Sequence, residues 1–433
     1  MHQISDKLLR KKGIKEAGLM VGEVLNHFDT SLYGFMAPLL APIFFPGHDP
    51  LVGLILVYSV FATGILGRPL GAYLFGMLAS FQSPQKALKI SLLGVSLSMI
   101  FFGSLPPYDR LGFYSPLLLV MARFLLDFFV SGERTVAGLY LLENKDTTAA
   151  FRLAAFYESA GMLGILAASL AAFIFSTCSF PVSFWRFPFW LGSAIGLIGF
   201  LFRYETALKN PDAPPIPFIY GWKQLHQKLW MMRLDVLRIA LISAFSYLTY
   251  AIPYMFLNAY IPQVSGVSFE SMMKFNTLFL GINLVLPPLL APVLKNFSPH
   301  KMMGVATMMI FLTAPLFFCF LKDASFGFVT TFRLWIILWG VIFTVPITLL
   351  KKRLFPGDTC YLFSGIGTQL GSGLLGRNTT SILLTCIYLV GHSWGASIYI
   401  LFLAPLTLLA LRNSVPPTTG LDSKTTNLYL HEK

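Results

Sequence analysis

The stretch Gly22–Phe45, GEVLNHFDTSLYGFMAPLLAPIFF, is long and apolar enough to cross a bilayer, yet it holds Asp29 well inside. An ionisable group at that depth costs about 2.5–3.5 kcal/mol on insertion scales, so by default it marks a functional position. At about 100° per residue, Gly22, Asn26, Asp29, Tyr33 and Met36 share one helical stripe, which can face a protein interior rather than lipid. A purely structural Asp29 would instead need a partner such as an arginine on a neighbouring helix. The stretch reads as one wall of a transport pathway.

The rest of the chain has the composition of such a protein. Its 433 residues are 55% hydrophobic and 12% charged, with a mean hydropathy of +0.69, which excludes an ordinary soluble domain. The 41 Phe and 17 Tyr suit lipid-facing surfaces and interfacial belts. A net charge of +13 would suit nucleic acid, but the basic residues gather in loops between apolar runs, so no nucleic-acid partner is expected. Cys178, Cys319, Cys360 and Cys386 are scattered without ligand spacing, so no metal is expected. The Lys-rich start resembles a signal-peptide leader, but the apolar run after it is too long and contains Asp29, so an uncleaved first helix is expected.

Apolar runs predict twelve spans: 18–45, 51–79, 87–105, 115–143, 152–177 and 187–204, then 234–261, 270–294, 303–321, 327–350, 361–391 and 393–411. The polar, Pro-rich stretch 205–232, with NPDAPPIP, divides them. The expected organisation is a first six-helix bundle (1–204), a linker (205–232), a second six-helix bundle (233–412) and a polar tail (413–433). Lys7, Arg10, Lys11, Lys12 and Lys15, Lys86, Lys145, Lys295, Lys301, Lys351–Arg353 and Arg412 all fall on one side by alternation. The positive-inside rule then puts both termini, linker and tail in the cytoplasm. The fold class expected is an all-α integral membrane protein of twelve transmembrane helices in two bundles, monomeric in the bilayer. Its site lies between the halves near the midplane.

Three further blocks carry candidate chemistry: GILGRPLGAYLFG (64–76), ARFLLDFFVSGERTVAGLYLLEN (122–144) and LFPGDTCYLFSGIGTQLGSGLLG (354–376). In the fourth helix, Arg123, Asp127 and Arg134 lie within about 40° of one another, which suits a structural ion-pair ladder. Glu133 stands about 80° off that face. Without a partner on its own helix it can load and release a proton, unless Arg68 or Arg123 pairs with it. The second half offers Tyr247, Tyr250 and Tyr254, Asn283, and Trp335 and Trp339 at i,i+4. Aromatic faces hold a quaternary ammonium with about 0.5–2 kcal/mol per ring, although such residues are commonly packing or interfacial anchors. His27 reads as packing or a hydrogen-bonding wall. Gly371, Gly373 and Gly376 spell GxGxxG without a βαβ unit, so they read as small residues for close helix contact.

These blocks resemble the major facilitator superfamily, and within it the metabolite:proton symporter branch that includes proline/betaine transporters. The first stretch is similar to the branch pattern GNxLEWYDFxLYGFxAPxIxxxFFP, and the second to GFLxRPLGAxxFG. The fourth helix is similar to RxxQGxxxGGExxGAxxxxxEx, and the last block, more faintly, to FPTRVRYxGxxxxYNxxxxxFGG. The departures are specific. The superfamily's loop GxLGDRxGRKxxL is GMLASFQSPQKAL here, with Ser80 and Pro84 where an acid and an arginine belong. Trp-Tyr-Asp becomes His27-Phe28-Asp29, and the basic residues near the eleventh helix become Asp358 and Cys360.

The resemblance implies a proton-coupled symporter of a small polar or zwitterionic metabolite, such as a proline/betaine-type osmolyte, in a bacterial inner membrane. It needs no cofactor beyond the proton gradient. Asp29 and Glu133 would carry the proton, with Arg68, Arg123, Asp127, Arg134 and Glu158 pairing or tuning. Asn26, Tyr33, Tyr247, Tyr250, Trp335 and Trp339 would line the substrate. The alternatives are a carboxylate or organic-anion symporter, with Arg123 or Arg134 on the anion, and a non-transporting membrane protein on this fold. No nucleophile–base set points to an enzyme.

Overall fold

A repeated start signal shapes both halves. Ser83 and Ser298 each precede a proline, and each side-chain oxygen accepts from the backbone N–H three residues on, at 3.1 Å from Lys86 and 3.3 Å from Lys301. Serine at the cap satisfies an orphan donor, and proline at the first helical position has no N–H to waste. Ser325 caps another helix in the same way, accepting from Phe328 at 3.2 Å.

The computed structural model describes residues 2–47, 53, 56–57, 59–143, 145–177, 182–209, 222–264, 269–321, 324–355 and 360–412. The first half comprises α1 (His2–Phe44), α2 (Gly64–Phe81), α3 (Pro84–Gly103), α4 (Tyr114–Leu141), α5 (Thr147–Thr177) and α6 (Phe187–Lys209). The second comprises α7 (Arg233–Ala251), α8 (Phe269–Leu294), α9 (Pro299–Cys319), α10 (Phe326–Thr344), α11 (Cys360–Leu370) and α12 (Ser397–Arg412). Helix α7 continues through a π turn, Ile252–Phe256, into Leu257–Val264, and α11 through a π turn, Gly371–Gly376, into Thr379–Val390.

Among the described residues ten helices are long and apolar enough to cross a membrane, and the chain is a multi-pass membrane protein. Twelve such spans were expected; α1 and α2 are absent from the ten. They carry Asp29 and Arg68, and polar side chains lower the apolar character of a span. Two boundaries also move. Helix α1 begins near the chain start because the Lys- and Leu-rich lead is itself helix-forming, and α6 runs through ETALK before Asn210–Pro211. Of the expected linker, Trp222–Met231 is helical; 210–221 and the tail 413–433 lie outside the described residues.

Helices pack chiefly within their own half, α1 on α5, α2 and α3 on α4, α3 on α6, α9 on α12 and α7 on α11. The halves meet where α5 lies on α8 and α2 on α11. Gly76 permits the second contact, since a Cβ there would stand 2.7 Å from the Leu362 Cα of α11. At the basic-loop end the halves share one apolar core, in which Leu88, Tyr140 and Phe151 join Leu294, Val345 and Leu349. Lys352 Nζ adds a cross-half hydrogen bond to the Leu142 carbonyl at 2.8 Å. Among the described residues that end is closed by apolar packing and the Lys352 hydrogen bond, with no acid–arginine pair between the two loops.

Candidate functional site

Buried charge gathers around Asp127, half-way along α4. Arg68 of α2 donates from Nε to its Oδ1 at 2.8 Å. Arg123, one turn earlier on α4, donates from Nη2 to Oδ1 at 3.4 Å; its Nε lies 3.3 Å from Oδ2 but is too poorly aligned for a hydrogen bond. The third arginine is Arg377, directly after the π turn of α11, with Nη1 at 3.5 Å from Oδ1. One carboxylate therefore faces three guanidiniums from α2, α4 and α11, across both halves.

Asp29 lies beside this cluster and is fully buried. Its Oδ1 accepts from Thr30 Oγ1 at 3.4 Å, while Oδ2 has no hydrogen-bond partner among the described residues. Arg123 and Arg68 are within electrostatic range but do not bond it. Tyr33, also on α1, donates to the Val57 carbonyl at 2.7 Å and packs edge-on to Phe61 and Phe102 in the first half's core. The Arg123 guanidinium stacks over Tyr33 at 5.2 Å and over Phe61 at 4.9 Å. These rings help hold its charge away from water.

A second polar network runs through α1, α4 and α5. Glu23 accepts from the Tyr157 hydroxyl at 2.7 Å and from Asn26 Nδ2 at 3.3 Å, and His27 Nε2 lies 3.0 Å from its Oε1. Arg134 reaches His27 Nε2 at 2.8 Å. One expectation is corrected here. Arg134 is not part of a ladder on Asp127: seven residues are two helical turns, about 10.5 Å along the axis, so a shared face brings no contact. Glu133, expected to lack a partner on its own helix, accepts on Oε2 from Ser91 of α3 at 3.4 Å. It is buried, and neither Arg68 nor Arg123 is its hydrogen-bond partner; both turn to Asp127.

Between the halves lies a cavity of about 40 Å³, enough for water and too small for a metabolite. Glu158 and Met162 of α5, Tyr250 and Tyr254 of α7, and Asn283 of α8 line it. Tyr247 stacks edge-on to Tyr250 at 5.8 Å. Helix α10 presents Ile337, Gly340, Val341 and Thr344 to the cavity. Trp335 and Trp339 sit about 150–170° round the helix from the middle of that face. Trp335 instead donates to Thr313 of α9 at 3.1 Å. Neither tryptophan faces this cavity.

The comparisons with known proteins agree with this arrangement. A family model described as Sugar (and other) transporter matches residues 18–207. The proline/betaine transporter of Escherichia coli (strain K12) is 29% identical over 288 residues, 61% of this chain and 56% of that protein. The glycine betaine/proline/ectoine/pipecolic acid transporter OusA of Dickeya dadantii (strain 3937) is 34% identical over 46% of this chain and 40% of its own. The matched segment thus spans about half the length of these relatives. The shikimate transporter of Escherichia coli (strain K12) is 25% identical over 92% of this chain and 94% of its own. Among solved structures, the major facilitator superfamily proton:xylose symporter XylE bound to 6-bromo-6-deoxy-D-glucose superposes with a TM-score of 0.72 at 15% identity, covering 94% of this chain and 96% of that one. FucP in the outward conformation gives 0.67 at 14%, covering 94% and 100%.

The chain has the major facilitator superfamily fold. The resemblance drawn from α1, α2 and α4 is borne out. Among the described residues, three charged residues of the interior were missed from sequence: Glu23, Arg333 and Arg377. Arg333 of α10 is buried, donates to Asn276 at 2.8 Å and stacks on Phe279 at 4.6 Å. All three lie within expected spans, where any ionisable residue is a functional hypothesis, and Glu23 also stands four residues before His27. Among the described residues no group of His, Cys, Asp and Glu is arranged to hold a metal ion.

Proposed function

We propose that this protein is a proton-coupled secondary transporter, a symporter, of a small polar or zwitterionic metabolite in a bacterial cytoplasmic membrane. Asp29 carries the proton. The observation behind this reading is its carboxylate: fully buried, with Oδ2 lacking a hydrogen-bond partner, yet near Arg123 and Arg68. A carrier must be charged in one stage of the cycle and neutral in another. A carboxylate does both, and neighbouring arginines stabilise the charged stage.

Glu133, buried against Ser91, is the second coupling group, and Glu158 faces the small cavity between the halves. The cavity walls come from both halves, so rocking one bundle against the other would open it to either side in turn. The named substrates of the relatives, proline, betaine, ectoine, pipecolic acid and shikimate, support a small polar metabolite. The anion-symporter alternative draws support from the three arginines around Asp127. Uptake into proteoliposomes from a labelled metabolite panel, with and without an imposed pH gradient, tests the proposal. Gradient-driven accumulation is expected; uptake that ignores the gradient would leave facilitation only.

A further inference from the structure

Three arginines, Arg68, Arg123 and Arg377, face two aspartates, Asp127 and Asp29, in the buried centre of the protein. The imbalance shows in the hydrogen bonds. Among the described residues, Nη1 and Nη2 of Arg68, Nε and Nη1 of Arg123, and Nη1 and Nη2 of Arg377 have no partner. Buried guanidinium donors without acceptors are costly, and the acceptor that fits their planar fork is a carboxylate, bonded through both oxygens.

Arg377 is the donor free to take one. Arg68 and Arg123 are fully buried and each donates to Asp127 from the same half. Arg377 comes from the opposite half, its side chain is 9% exposed, and it reaches Asp127 only at 3.5 Å without a hydrogen bond. Its backbone is set by the π turn, the Arg377 N–H bonding the Ser372 carbonyl at 3.0 Å. Such turns insert a residue into a helix and re-aim the side chains beyond it. Gly64 leaves the space that the guanidinium fills: a Cβ there would stand 2.8 Å from Nη1 and 3.0 Å from Asp127 Oδ2. On its other side Arg377 is within electrostatic range of Tyr247, whose ring meets Tyr250 on the cavity wall.

We propose that Arg377 anchors the substrate, its guanidinium binding the carboxylate of a carboxylate-bearing metabolite in exchange for its loose contact with Asp127. Asp127 keeps Arg68 and Arg123 when Arg377 leaves, so the first half is undisturbed while the cross-half contact is released. This rests on the transporter reading and narrows its substrate to a chemical class.

The test is ligand-induced thermal stabilisation of the purified full chain in detergent, which needs neither transport nor a proton gradient. The probes are matched pairs with and without the carboxylate: proline and prolinamide, glycine betaine and choline, shikimate and its methyl ester. At least one carboxylate should raise the melting temperature where its partner does not. Arg377→Gln should abolish that shift. Arg377→Lys and Gly64→Ala should weaken the apparent affinity by about tenfold, through loss of the bidentate fork and of its space. These two carry the comparison if the Gln variant does not fold. A folded Arg377→Gln protein that keeps the shift, or carboxylate-free partners that stabilise equally, overturns the proposal. Carboxylate-free probes that stabilise wild type and Arg377→Gln alike would sink the anchor and leave the transporter reading standing. If no probe of either series stabilises the wild type, both fall.

Discussion

Arg134 of α4 and His27 of α1 meet at 2.8 Å through the His27 Nε2, the same nitrogen that lies 3.0 Å from Glu23 Oε1. Arginine is always a donor and an ionised carboxylate always an acceptor, so one ring nitrogen cannot satisfy both at once. With a proton on Nε2 the ring donates to Glu23; without it, the ring accepts from Arg134. With the proton on Nε2, Nδ1 can still accept from Arg134 at 3.4 Å, so His27 links α1 to α4 in either neutral tautomer and bonds Glu23 in one of them.

Removing that ring tests the junction. His27→Ala strips Glu23 and Arg134 of a shared partner in a part-buried site, and an unsatisfied group there costs about 1–3 kcal/mol. A lowered melting temperature is expected, partly restored by adding Glu23→Gln, which removes the carboxylate charge. An unchanged melting temperature for His27→Ala would show that the junction does not hold α1.

Asp127→Asn should be among the most damaging single changes. It leaves Arg68, Arg123 and Arg377 facing an amide, and breaking one side of a buried ion pair costs about 3–5 kcal/mol. Folded yield from membranes should fall sharply. Because the loss arises from excess positive charge, Asp127→Asn with Arg377→Gln should recover part of it. A double variant no better than the single would mean that Arg377 does not share the cluster's charge balance.

The closed basic-loop end predicts an accessibility change. Lys352 donates to the Leu142 carbonyl at 2.8 Å, and Cys360 begins α11 a few residues later. In a chain whose only cysteine is Cys360, Lys352→Met should speed labelling by a membrane-impermeant maleimide severalfold from the side facing the basic loops. Labelling at the wild-type rate would show that apolar packing alone holds this end shut.

Much of this fold was legible because membrane spans announce themselves in hydropathy and serine–proline starts in local sequence. Asp29, Arg68, Arg123 and Asp127 were legible as rare charges in apolar runs. What escaped was partnership. A helical stripe shows that Arg123, Asp127 and Arg134 share a face, but not that two turns separate the last from the middle one. The tryptophans' i,i+4 spacing says that they stack, at 5.6 Å between rings, but not which neighbour they face. Arg377 escaped because its aim depends on the π turn before it, and a run such as GSGLLG does not reveal from spacing alone that one turn is wide.

The central claim is that the Asp29 carboxylate is the coupling group, and Asp29→Asn tests it most directly. The amide keeps size and most hydrogen bonding at a position where Oδ2 has no partner, while removing the titration. In proteoliposomes, pH-driven uphill accumulation should be lost, while exchange of preloaded labelled substrate, which moves no net proton, should persist near the wild-type rate. An Asp29→Asn protein that still concentrates substrate against its gradient when driven by pH would contradict the claim outright.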